Sequence, residues 1–122
     1  METDDSEYGV GDDGVKYDNG KLRYDLIPVE ALESIIKVYT MGAEKYADRN
    51  WEKGMSWGRV FGAVMRHAWA FWRGEEFDQE SGLPHMAHAG WGCLALLHYA
   101  KYNKDKDDRS LYDVPTEKGD TV

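Results

Sequence analysis

The 122-residue chain has a single cysteine, Cys93, so no internal disulfide can form and a disulfide framework is excluded. No apolar run approaches the roughly 18 residues that a membrane span requires. The chain opens Met-Glu-Thr-Asp-Asp, without the basic and then apolar stretch of a secretory signal, so a soluble cytoplasmic protein is expected. Nothing reads as a P-loop, as GxSxG or as HExxH. A basic stripe is also missing, and nucleic-acid binding is not expected.

What is present is acidic and aromatic. Aspartate and glutamate number 23 against 15 lysines and arginines, a net charge of -8. Seven of the acids fall in residues 1–20 beside one base, Lys16, so the acidity belongs mostly to this segment. Residues 1–20 lack apolar periodicity and read as a disordered tail, as do residues 103–122 at the other end. The folded part is then about residues 21–102, a small core. Trp51, Trp57, Trp69, Trp72 and Trp91 are many for that size. Most are expected in the core or a subunit interface, with one or two able to stack on a base.

Three helices are predicted and no strand, so the fold class is all-α. The first starts near Pro28, carries Val29, Leu32, Ile35, Ile36 and Tyr39 on one face, and ends about Tyr46. The second follows Ser56 as N-cap and stops at Gly74. It contains no acid from Trp57 to Arg73. The third opens at Pro84 and runs to about Tyr102. It is apolar nearly all round, which requires burial on more than one side and predicts a helix bundle completed by a second subunit. Cys93 falls within this apolar helix, so a thiolate nucleophile is not expected.

The chemistry concentrates between the second and third helices. The link Gly74–Leu83 holds Glu75, Glu76, Asp78 and Glu80 and no base. His67 precedes it, and His85 and His88, three apart, share one helical face behind it. Antiparallel helices would place the acids over the histidines, where a divalent cation would relieve the repulsion. Oxygen ligands favour Mg²⁺ or Mn²⁺, and histidines favour Mn²⁺, Zn²⁺ or Fe²⁺. The same residues also fit a solvated loop with capping histidines. Glu30, Glu33 and Glu44 form a second acidic line on the first helix. Lys21, Arg23, Lys45, Arg49 and Lys53 suit either a phosphate-binding rim or surface ion pairs.

Several ordered runs carry a family resemblance. They are Gly20-Lys21-Leu22-Arg23-Tyr24-Asp25-Leu26-Ile27-Pro28, Gly42-Ala43-Glu44-Lys45-Tyr46, Arg49-Asn50-Trp51, Arg66-His67, Arg73-Gly74-Glu75 and Ser81-Gly82-Leu83-Pro84-His85-Met86-Ala87-His88-Ala89. Over residues 20–101 the chain resembles the phage dATP/dGTP diphosphohydrolases, grouped with the MazG-like all-α pyrophosphohydrolases of the MazZ type. The resemblance implies Mg²⁺-dependent cleavage of dGTP or dATP to monophosphate and pyrophosphate, feeding phage 2-aminoadenine metabolism in the host cytoplasm; Mn²⁺ is the alternative cation from the donor types, and the spare apolar surface suits a homodimer or homotetramer.

On that basis Glu75, Asp78, His85, His88 and Glu44 are the expected metal ligands. Glu75 is the expected general base, with His67 and His88 also catalytic. Lys21, Arg23 and Lys45 would hold phosphates, and Asn50 the base or sugar. The chain departs from the Glu-x-x-Glu…Glu-x-x-Asp arrangement of MazG-like enzymes. Glu30–Glu33 and Glu75–Asp78 satisfy both halves, but 41 residues separate them and the second half lies in a link. A nucleotide phosphatase or triphosphohydrolase fits the same residues, and so does a helical dimer that only binds a partner.

Overall fold

The computed structural model describes residues 14–110. Among them are three α-helices, α1 (Val29–Lys45), α2 (Trp57–Trp72) and α3 (His85–Tyr102), with three short 3-10 turns. The described residues form no strand, only a lone antiparallel bridge between Phe77 and Pro84. The fold is all-α, as expected. The three residues chosen as helix starts, Pro28, Ser56 and Pro84, are the residues that immediately precede the helices.

One helix start is held by something other than its own cap. The Ser56 side chain makes no capping bond. Instead the Gly58 N–H donates to Asp108 Oδ1 at 2.8 Å, so a carboxylate 50 residues away satisfies the amide end of α2. Trp57 Nε1 donates to the Asn103 carbonyl at 3.2 Å, and the Arg109 guanidinium lies 4.8 Å from the centre of the Trp57 ring. The chain after α3 therefore packs back onto α2 as far as Arg109. Residues 1–13 of the acidic segment and 111–122 of the C-terminal one lie outside the described residues.

The middle of the molecule is α3. It packs antiparallel along α2, and α1 lies against it separately, with little contact between α1 and α2. Two neighbours cover part of its apolar circumference. Close approach is built on glycines: a Cβ on Gly92 would overlap Val64 Cγ2, and one on Gly90 would come within 2.6 Å of Ile35 Cδ1. Trp57, Val60, Ala95 and Tyr99 form the buried core, with Trp51, Met55, Trp91 and Leu96 against it. Tyr99 is fully buried and donates its hydroxyl to the Trp51 carbonyl at 2.6 Å. Burial, with Tyr39 nearby, pushes its phenol up to about 12, so the donor stays protonated.

Much apolar surface remains open. Val29 and Ile36 on α1, Trp69 and Trp72 on α2 and Leu97 on α3 are all exposed. Cys93 is exposed as well, contrary to the burial expected of it, because α1 and α2 leave one side of α3 uncovered.

Candidate functional site

The site is assembled at the end of α2 by an ordered reversal of the chain. Gly74 adopts φ +109, and the N–H groups of Gly74 and Glu75 donate back to the carbonyls of Phe71 (2.9 Å) and Ala70 (3.0 Å). This Schellman arrangement satisfies the helix end and sets where Glu75 leaves it. The link then closes on itself: Asp78 N–H donates to the Leu83 carbonyl at 2.8 Å, and His85 N–H to that of Glu76 at 2.9 Å. Asp78 Oδ2 accepts the Ser81 N–H at 3.0 Å. The acidic link is thus a built turn.

Three histidines meet beneath it. His67 Nδ1 and His85 Nδ1 are 2.8 Å apart, and the His67 ring stacks on His88 with centroids 4.6 Å apart and planes 11° from parallel. His88 Nε2 lies 2.7 Å from Ser81 Oγ, which also accepts the Leu83 N–H at 3.1 Å. The serine hydroxyl and this ring nitrogen share one hydrogen bond, whose direction follows the imidazole tautomer. His85 is only 6% exposed. Its Nε2 stands 3.3 Å from Glu75 Oε2, but the alignment is not that of a hydrogen bond, and this buried nitrogen has no hydrogen-bond partner. An orphaned buried donor or acceptor costs free energy unless something supplies the missing contact.

Electrostatics keeps two of the rings available as electron-pair donors. Burial, then the neighbouring histidines and Arg66, hold His67 below the usual imidazole range, against the pull of Asp78. Burial also lowers His88, with Asp78 and Glu80 opposing. Burial resists ionisation of Asp78, but its bonds from Ser81 and the facing histidines outweigh that, and the carboxyl lies below its ordinary range. One potential ligand atom each from His67, Asp78 and His85 lies within 4.8 Å of the others. Imidazole nitrogens with one carboxylate suit a transition metal such as Mn²⁺, Fe²⁺ or Zn²⁺.

Of the residues expected at the site, His67, Glu75, Asp78, His85 and His88 come together. Five others do not. Glu44 is exposed on the last turn of α1. Ile35 of α1 meets Gly90, and Trp51 beyond α1 reaches His98 and Tyr99, so Glu44 lies away from the histidine end of α3. Arg23 is paired with Asp25 through bonds of 2.9 and 2.8 Å. The Lys45 ammonium sits over the Tyr46 ring. The Lys21 and Asn50 amides bond locally, to the carbonyls of Asp18 and Ala47. None of these five makes a hydrogen bond, ion pair or ring contact with the histidine cluster. Sequence reading missed Ser81 as a partner of His88; the Asp78-x-x-Ser81 spacing of a turn was the available signal.

A family model described as dATP/dGTP diphosphohydrolase, N-terminal, matches residues 11–109, taking in all three helices and the whole cluster. The chain belongs to this family. A protein of Salmonella phage PMBT28 named dATP/dGTP diphosphohydrolase is 33% identical over 96 residues, which is 79% of this chain and 33% of that protein. The chain thus spans about a third of the length of this curated family relative. No solved structure matches it.

Proposed function

We propose that this chain hydrolyses purine deoxynucleoside triphosphates, dGTP and dATP, to the monophosphate and pyrophosphate. The observation that carries the proposal is the convergence of His67, Asp78 and His85, including the unpartnered buried Nε2 of His85, in a chain of this family. The residues fit a divalent cation. Between Mg²⁺ and Mn²⁺, the nitrogen donors favour Mn²⁺. When bound, the cation would offset charge on the phosphates and acidify the attacking water.

The chain's own groups do the rest. Glu75, whose side chain is 46% exposed beside His85, would serve as the general base that takes a proton from the attacking water. His88, anchored by Ser81, holds the His67 ring by stacking, so that His67 keeps its orientation as a ligand. The catalytic unit is residues 21–102, preceded by the acidic segment and followed by a C-terminal one whose first residues, to Arg109, pack back onto α2. The exposed apolar side chains of α1, α2 and α3 support a homodimer or homotetramer. Lys21, Arg23, Lys45 and Asn50 would reach the nucleotide through that assembly. In the host cytoplasm the product would feed 2-aminoadenine nucleotide synthesis.

The test is product analysis with each dNTP and Mn²⁺ or Mg²⁺, resolved by anion exchange and phosphorus NMR. Deoxynucleoside monophosphate with pyrophosphate is expected from dGTP and dATP. Deoxynucleoside with tripolyphosphate, or release of inorganic phosphate, would move the reaction to a triphosphohydrolase or phosphatase. Absence of turnover would refute the proposal.

A further inference from the structure

Within one chain the basic groups that sequence reading assigned to phosphate do not reach the histidine cluster, and a triphosphate brought to the acidic turn needs cations of that same chain beside it. The outer side of α2 offers them. No acid occurs from Trp57 to Arg73, and Arg59, Arg66 and Arg73 recur every seven residues, one line along the helix. The other arginines are neutralised: Arg23 by Asp25, Arg49 by Glu52 and Arg109 by Asp107. Among the described residues, Arg66 and Arg73 have no ion-pair partner.

These two arginines border a cleft of about 360 Å³, and Trp69 and Met65 complete its lining. Trp69 is 53% exposed and shares this lining with the two arginines. Guanidinium groups bind phosphate oxygens in a planar, paired geometry, and an indole stacks on a base. The cleft adjoins the cluster along the chain: Arg66 precedes His67, and Arg73 lies two residues before Glu75. The charge of Arg66 is also felt at the His67 ring.

We propose that Arg66 and Arg73 form the polyphosphate subsite of this protein, with Trp69 as the stacking surface for the base of the same nucleotide. The assignment rests on the nucleotide-hydrolysis reading above and names the residues that would hold its substrate. The acidic turn and the arginine pair then divide the work by charge. One side takes the cation, the other the phosphate oxygens.

The test uses the full chain, with Arg66→Gln, Arg73→Gln, their double variant and Trp69→Leu. Arg59→Gln, on the same line but outside the cleft lining, is the control. Calorimetry with inorganic tripolyphosphate on chelator-treated protein reads the subsite without turnover. Each arginine variant should weaken tripolyphosphate binding about tenfold or more, and raise KM for dGTP with a smaller change in kcat. Trp69→Leu should weaken dGTP binding and leave tripolyphosphate binding intact. Arg59→Gln should stay within about twofold of the parent, since an exposed charge outside the site contributes little. Circular dichroism confirms that each variant is folded.

Unchanged tripolyphosphate affinity and unchanged KM in the double variant would overturn the subsite while leaving the hydrolase reading in place. A shift in oligomer size, with nucleotide affinity unchanged, would overturn it too and make this face a contact between copies. Tripolyphosphate binding that depends on Arg66 and Arg73, in a parent protein without turnover, would uphold the subsite and refute the hydrolase reading instead.

Discussion

His67 and His85 face one another across the α2–α3 contact with their Nδ1 atoms 2.8 Å apart. At that separation one nitrogen donates and the other accepts, so a proton occupies the space between them. A cation ligated by this pair must displace that proton, and ligand nitrogens lie about 2.0–2.1 Å from a zinc-sized ion. Binding should therefore move that proton to the other nitrogen of its ring, with little net proton release above pH 7, and part the two rings by a few tenths of an ångström. Calorimetry with Mn²⁺ in buffers of different ionisation enthalpy should accordingly give the same heat at pH 7.5, and a buffer-dependent heat would contradict the neutral pair.

Removing a ligand should cost far more than removing its support. Changes in the residues around a metal's ligands typically cost 10–100-fold in affinity. Asp78→Asn or His85→Ala is expected to weaken Mn²⁺ binding at least about 100-fold, and Ser81→Ala about tenfold through His88. Manganese paramagnetic resonance, counting free ion at equilibrium, makes the comparison. Equal affinities in parent and Asp78→Asn would exclude this centre.

Stability of the metal-free protein should depend on pH with a definite sign. His67 and His88 are both held below 6.5 in the folded chain. The unfolded chain then takes up protons that the folded chain refuses, so acid favours unfolding. The stabilisation is complete above about pH 7 and declines as pH falls through 6.5. Asp78, also lowered when folded, contributes above its unfolded value of 3.8 and is lost below it. Thermal midpoints of chelator-treated protein should be level from pH 7 to 8 and drop towards pH 5. A rise on acidification would contradict the geometry.

Two glycines should respond in opposite directions to alanine. Gly92 is buried under α2, where an added methyl would overlap Val64, a β-branched side chain with little freedom to turn away. Gly92→Ala is expected to destabilise by about 1–3 kcal/mol. Gly42, inside α1, has open space where its Cβ would stand. Gly42→Ala should stabilise by about 0.5–1 kcal/mol, the ordinary helix preference. Chemical denaturation of both variants decides.

The cap of α2 should likewise respond at the distant residue. Asp108→Ala removes the acceptor of the Gly58 amide and is expected to lower the thermal midpoint by roughly 4–8 °C, as loss of an N-cap does. Ser56→Ala, which removes no capping bond, should leave the midpoint within about 2 °C. The reverse order would mean that the serine caps in solution.

Helix number, type and ends were all legible in the residue order, because they rest on local rules. Pro28, Ser56 and Pro84 precede helices, Gly74 ends one with positive φ, and apolar side chains recur at helical spacing between them. The gathering of His67, Glu75, Asp78, His85 and His88 was legible too, since a short link forces antiparallel helices and places both of its ends together. Family membership was equally carried by ordered motifs. Proximity across the fold was not. Glu44, Lys21, Arg23, Lys45 and Asn50 had the right chemistry, but only packing decides that α1 joins α3 rather than α2 and leaves them outside the cluster. Packing also turned the helix cap over to Asp108 and left Cys93 exposed. It left Arg66 and Arg73 without carboxylates beside Trp69, because pairing and burial depend on three-dimensional neighbours that spacing along a chain does not specify.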